Sequence, residues 1–206
     1  MPEIALNTLA AFAAASALIS LAPGPDNIFV LSQSALFGRR AGVLVTLGLC
    51  SGLVVHTLAV AFGIAALFQS SPLAFSILKL VGAAYLLYLA WLSFRSSAET
   101  DINANALSSS ALYRRGVIMN ITNPKVSLFF LAFLPQFTDA AVGSLVLQLL
   151  YLGAVFIVIA LILFSAIAYF GSVLGKWLRE SPSAQQHLNR IAGFVFIAIA
   201  VKLLLG

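Results

Sequence analysis

IALNTLAAFAAASALISLAPGPDNIFVLSQSAL, residues 4–36, is apolar for longer than one upright membrane crossing needs, and Pro23-Gly24-Pro25 cuts it in two. A helical proline loses one backbone hydrogen bond and crowds the preceding turn, so the triplet breaks the span into two half-helices. Pro25 suits the first position of the second piece, with Gly24 before it as a tolerable cap. A matching interruption stands at Asn123-Pro124 inside the apolar run 113–137, where Asn123 is a good N-cap and Pro124 a good first helical residue.

The rest of the chain fits a lipid solvent. Of its 206 residues 62% are hydrophobic and 8% charged, with a mean hydropathy of +1.07, too little polar surface to coat a water-soluble globule. The long uninterrupted runs point to helices rather than the alternating strands of a barrel. Six spans are expected, at 4–36, 42–68, 73–94, 113–137, 145–169 and 188–205, giving an all-α integral membrane protein in one domain, 1–206. Residues 95–112, with Glu99, Asp101, Asn103 and Asn105, read as a polar linker between two three-span halves, 1–94 and 113–206. Met1-Pro2-Glu3 is acidic where a signal peptide is basic, so the first stretch reads as a retained span. The single cysteine, Cys50, excludes an intramolecular disulfide. A net charge of +5 does not indicate nucleic acid, because the basic residues sit between apolar runs instead of clustering.

If the spans cross alternately, one face receives Arg39, Arg40, Arg95, Arg114, Arg115, Lys176, Arg179 and Arg190, and the other Lys79 and Lys202. The positive-inside rule makes the first face cytoplasmic, in a bacterial inner membrane with both termini outside. The halves also correspond. Lys79-Leu80-Val81-Gly82 in the third span matches Arg190-Ile191-Ala192-Gly193 in the sixth, and the first and fourth spans both carry proline breaks. Halves of three spans insert with opposite orientation, so a 3+3 inverted repeat is expected, with a transport site near the midplane. Chance similarity with ordinary proline kinks is the alternative.

Beside the breaks lie the two deeply placed ionisable residues, Asp26 and Lys125. Each costs roughly 2.5–3.5 kcal/mol at a helix centre on insertion scales, which argues against a purposeless placement. One reading has Lys125 attracting a ligand carboxylate, helped by the two half-helix N-termini, and Asp26 receiving an ammonium group or a proton. The other is a mutual ion pair, or capping by Asp26 of its own half-helix. Asn27, Asn120 and Asn123 bring amides to the same regions. His56 is either a proton relay with Asp26 or a packed histidine. Gly48 and Gly52 form a small-xxx-small pair for close helix contact. Tyr85, Tyr88 and Trp91 read as a helix surface or interfacial belt.

Several classes lose support. There is no phosphate loop with lysine for ATP hydrolysis, no nucleophile elbow, and no second buried aspartate for proteolysis. One aspartate beside a lysine is a poor trap for a divalent metal. Neither a cofactor nor a metal is expected.

Pro23-Gly24-Pro25-Asp26-Asn27, Gly38-Arg39-Arg40-Ala41-Gly42, Gly82-Ala83-Ala84-Tyr85-Leu86, Asn123-Pro124-Lys125 and Phe133-Leu134-Pro135-Gln136-Phe137 together carry a likeness. The chain resembles the LysE/RhtB family of amino-acid exporters, in particular its homoserine, threonine and leucine branch. The resemblance implies efflux of amino acids or close derivatives by a six-helix carrier driven by an ion gradient, with a proton as the expected coupling ion and homodimer formation a plausible expectation. Its motif positions carry over to Pro23, Gly24, Pro25, Asp26, Asn123, Pro124 and Lys125. A channel or metal-ion permease of the same architecture is the competing reading.

Overall fold

Proline chemistry sets the helix ends. Helix α1 (Leu6–Leu21) stops at Ala22, and Pro25 opens α2 (Pro25–Phe37) behind the extended N-cap Gly24. In the computed structural model, which describes residues 4–70, 72–95 and 107–205, the two half-helices meet at 59°. The second break has the expected chemistry. After α5 (Ser109–Ile121) the Asn123 Oδ1 accepts the backbone N–H of Lys125 at 3.0 Å, and Pro124 opens α6 (Pro124–Leu128). The chain bends there by 48°.

Beyond α6 the chain departs from a plain helix. The backbone widens into a π-turn over Phe129–Phe133 and tightens into a 3₁₀ turn over Leu134–Phe137. Pro135 has no N–H for the Leu131 carbonyl, and its ring crowds that carbonyl, so the ladder changes register ahead of it.

Four helices are uninterrupted: α3 (Arg39–Ser70), α4 (Pro72–Arg95), α7 (Leu145–Glu180) and α8 (Pro182–Leu205). All four contain stretches long and apolar enough to cross a membrane, and the two bent pairs bring the number to six if each is one span. All four outrun the limits expected from hydropathy, α4 by only one residue at each end. Helix α7 continues past 169 to Glu180, because no breaker intervenes before Ser181-Pro182, and Pro182 then starts α8 six residues earlier than expected. Helix α3 likewise starts at Arg39, directly after Gly38, whose φ of 84° favours a residue without a Cβ. The proposed linker falls between the end of α4 at Arg95 and the Ser108 N-cap of α5, with 96–106 outside the described residues, as are residues 1–3.

Helices α3 and α7 pack together at the centre, with α5 against α3, α1 and α2 against α7, and α4 against α8. At one end of the molecule Phe12 of α1 meets Phe137 edge-on at 5.2 Å. Toward the other, Ser34 of α2 packs against Gly171 of α7, and Ala35 against Gly175. The π-turn feeds an aromatic core in which Phe129 meets Phe133 at 5.0 Å and Phe156 at 5.1 Å. Large apolar side chains such as Phe62, Leu80, Ile162 and Phe194 are exposed around the outside, the surface lipid tails would cover. Tyr85, Tyr88 and Trp91 stack along α4, with the Arg95 guanidinium 4.8 Å above the Trp91 ring, an arrangement suited to the interfacial zone.

Candidate functional site

The two breaks face one another, and their charges are held by helix ends. Asp26, in the first turn of α2, is 1% exposed; Lys125, the second residue of α6, is 5% exposed. The Asp26 Oδ2 accepts Nδ2–H of Asn120 at 3.1 Å, while its Oδ1 has no partner. Lys125 Nζ donates to the backbone carbonyls of Ile19 at 3.2 Å and Ala22 at 3.0 Å, at the C-terminus of α1. The carboxylate thus lies at the positive end of α2, and the ammonium closes the negative end of α1.

This arrangement explains how opposite charges persist there without touching. Neither a hydrogen bond nor an ion pair joins Asp26 to Lys125 among the described residues, and Asp26 caps no backbone N–H. A helix end contributes about 0.3–2 kcal/mol to a charge placed on it. A hydrogen bond to a charged group contributes about 1.5–3 kcal/mol. Together they offset an insertion cost of roughly 2.5–3.5 kcal/mol per residue. Lys125 was expected to work with the half-helix N-termini. Its ammonium lies at the C-terminal pole of α1, beside the Gly24 N-cap of α2.

The other residues singled out by the sequence divide between ligand space and scaffold. Asp26, Asn120 and Lys125 line one small cavity with Ser20, Leu53, Phe129, Phe156 and Phe164, with room for about one water molecule. Asn120 Oδ1 and Ser20 Oγ are buried there without partners. Asn27 lies outside the lining. Its Nδ2 donates to the Ser20 carbonyl at 2.7 Å and braces α1 against α2. Asn123 serves as the N-cap of α6. Pro23, Pro25 and Pro124 make the breaks, and Gly24 makes room: a Cβ on it would stand 3.0 Å from Lys125 Nζ. His56 is one contact removed, its Nε2 3.2 Å from the Asn120 carbonyl oxygen and its ring against Phe130. Ser20 and the phenylalanines were not singled out from sequence. Phe129 had a usable signal, since it lies four residues after Lys125 and so on the same helical face.

A cavity with a buried carboxylate oxygen and an ammonium, on helices fit to span a membrane, belongs to a translocator more naturally than to an enzyme. The model of LysE type translocators matches residues 17–206. The chain belongs to the LysE type translocator family. It is 33% identical over 195 residues, 94% of each chain, to a homoserine/homoserine lactone efflux protein of Salmonella typhimurium. It is 29% identical over 188 residues, 90% of this chain and 89% of the other, to a leucine efflux protein of Enterobacter sp.. No solved structure matches it significantly. Within this LysE-type chain the matched region includes both proline breaks and every residue lining the cavity.

Proposed function

We propose that this protein is a secondary exporter of amino acids or related zwitterionic metabolites, driven by an ion gradient, with the cavity between the two breaks as its substrate site. The observation that carries the reading is the pair of buried, separately held opposite charges at that cavity. Lys125 Nζ commits two of its three N–H groups to carbonyls and Asp26 leaves Oδ1 unpaired, so each retains capacity for the opposite end of a zwitterion. The substrates named for the relatives, homoserine, its lactone and leucine, define the first panel to test. The cavity is too small for any of them, so transport requires it to widen. Opening falls to the proline breaks and the π-turn, where backbone bonding is already interrupted. Proton uptake at Asp26 is the proposed coupling step; His56 stands beside it in the same region, in contact with the backbone carbonyl of the Asn120 whose amide meets Asp26.

Six crossings arranged as an inverted repeat are part of this proposal. Helix α1 touches one end of the bundle at Phe137 and α2 continues along α7 to Gly175, which favours one broken crossing over a re-entrant loop. Exchanging the halves maps α3 packed on α5 onto α7 packed on α1, and returns the α3–α7 and α4–α8 pairs to themselves. With three spans in each half, such an exchange would run about an axis in the membrane plane.

Three measurements check the reading. Proteoliposomes loaded with single amino acids should release at least one of the panel saturably and without ATP. Ion conductance far above carrier turnover, or metal uptake insensitive to amino acids, would establish the channel or permease instead. For orientation, cysteines replacing Ser97 and Ser183 should be shielded from an impermeant thiol reagent in intact cells and one replacing Ser70 should react; the reverse pattern puts the arginine-rich face outside. For the site, a Cβ on Gly52 would stand 2.7 Å from the Cβ and Oδ1 of Asn120. Gly52→Ala should therefore push that amide off Asp26 and lower efflux about tenfold, the equivalent of one weakened hydrogen bond to a charge. Unchanged transport by Gly52→Ala would show that the Asn120–Asp26 contact is dispensable.

A further inference from the structure

One buried polar group has no part in the site above. Gln33, on α2, is 1% exposed, and its Oε1 has no hydrogen-bond partner among the described residues. An amide oxygen left bare in this way costs stability in this state, and a ligand that binds it at another stage accounts for its presence. Its position is specific. Asp26, Phe29 and Gln33 share one face of α2, at spacings of three and four residues, so Gln33 lies about 10 Å along the axis from Asp26, toward the arginine-rich end. Phe29 stands between them, and the guanidinium of Arg115 from α5 lies over its ring at 5.0 Å from the centroid. Arg115 is exposed and Phe29 is 7% exposed, so the arginine stands at the surface end of a seam between α2 and α5 whose inner end is the Asp26–Asn120 contact.

We propose that Gln33, Phe29 and Arg115 form a second, outer station on the approach to the cavity, built to receive an amino acid by its carboxylate and by one hydrogen-bond donor. Arg115 takes the carboxylate in a bidentate grip while keeping contact with the Phe29 ring. Gln33 Oε1 accepts from the ammonium or from a side-chain hydroxyl. Phe29, capped by the guanidinium, separates this station from Asp26, so passage inward requires the Arg115–Phe29 stack to part. The inference deepens the proposed function, because it assumes that the ligand is an amino acid. It adds carboxylate selectivity at the arginine-rich face.

Equilibrium binding to the purified full chain tests it, with labelled homoserine and labelled homoserine lactone, which lacks the carboxylate, as probes. Wild type should bind two homoserine molecules per chain at saturation. Gln33→Met keeps the side-chain shape and removes the amide, and should bind one, while melting at or above the wild-type temperature because an unpaired buried amide is gone. Asp26→Ala should also bind one, at the outer station. Arg115→Gln should weaken the outer homoserine site about tenfold and leave lactone binding unchanged. The proposal falls if Gln33→Met binds two, if it melts below wild type, or if Arg115→Gln weakens both probes equally. Failure of the central site is read separately: Asp26→Ala would then bind as many molecules as wild type while Gln33→Met still lost one.

Discussion

Asp26→Ala and Lys125→Ala should each reduce efflux at least about a hundredfold while the protein still inserts and purifies as a single species. The size follows from the geometry. Each alanine removes a charge-assisted contact to one end of the substrate, and a loss of about 3 kcal/mol is about a hundredfold in rate. Lys125→Ala also strands the Ile19 and Ala22 carbonyls at the end of α1, so it should melt lower than Asp26→Ala, which frees only the Asn120 amide. Lys125→Arg should rescue poorly. Nζ sits between two carbonyls, with no more than 3.0 Å to the Cβ position of Gly24, and a planar guanidinium needs more room than a compact ammonium. Asp26→Asn separates charge from shape, since it can keep the contact with Asn120 and should still fail to export. Near-normal efflux by both alanine variants would remove these residues from the mechanism and leave the breaks as structural features.

The breaks were readable because their causes are local. A proline lacks its N–H and an asparagine caps within three residues, so Gly24-Pro25 and Asn123-Pro124 announced α2 and α6 without any knowledge of the rest of the chain. The membrane class was equally local, being a matter of run length and composition. Partner choice was not. The bonds from Lys125 to Ile19 and Ala22 span more than a hundred residues. Each break exposes one positive and one negative helix end, and nothing in the sequence says which of them a lysine will meet. The same limit hid the outer station, because Gln33 looks like an ordinary polar residue until its burial is seen. The π-turn was hidden for a different reason. Pro135 was not read as a break, and whether a ladder loosens, tightens or stops before a proline depends on how Phe129, Phe130 and Phe133 pack. Gly48 and Gly52 show the intermediate case. Their spacing signalled a close helix contact, but only the fold shows that the contact is α5 and that it sets Asn120 beside Asp26.

Gly48→Ala should therefore damage folding and transport together. A Cβ on Gly48 would collide with the backbone carbonyl of Tyr113 and stand 3.1 Å from the Gly116 Cα; one on Gly116 would lie 2.7 Å from the Val45 carbonyl oxygen. These neighbours are backbone, so no side chain can rotate away and α5 itself must shift. Overpacking of this kind costs about 1–3 kcal/mol, and for a chain of this size each kcal/mol lowers Tm by about 2–4 °C. The shift also moves Asn120, one turn further along the same face of α5 from Gly116, and with it the hydrogen bond that holds Asp26. Efflux should accordingly drop at least tenfold even at temperatures where the variant is folded, and Gly48→Leu should leave no folded protein to purify. Gly63 provides the control, because it lies on the same helix with nothing among the described residues within 4 Å of its Cβ position. Gly63→Ala gains up to about 1 kcal/mol of helix propensity and should melt at or above wild type with full transport. Thermal melts in detergent and efflux from proteoliposomes decide between the two outcomes: if Gly48→Ala melts and transports like Gly63→Ala, the α3–α5 crossing is looser than its geometry implies, and Asn120 is not held in place by it.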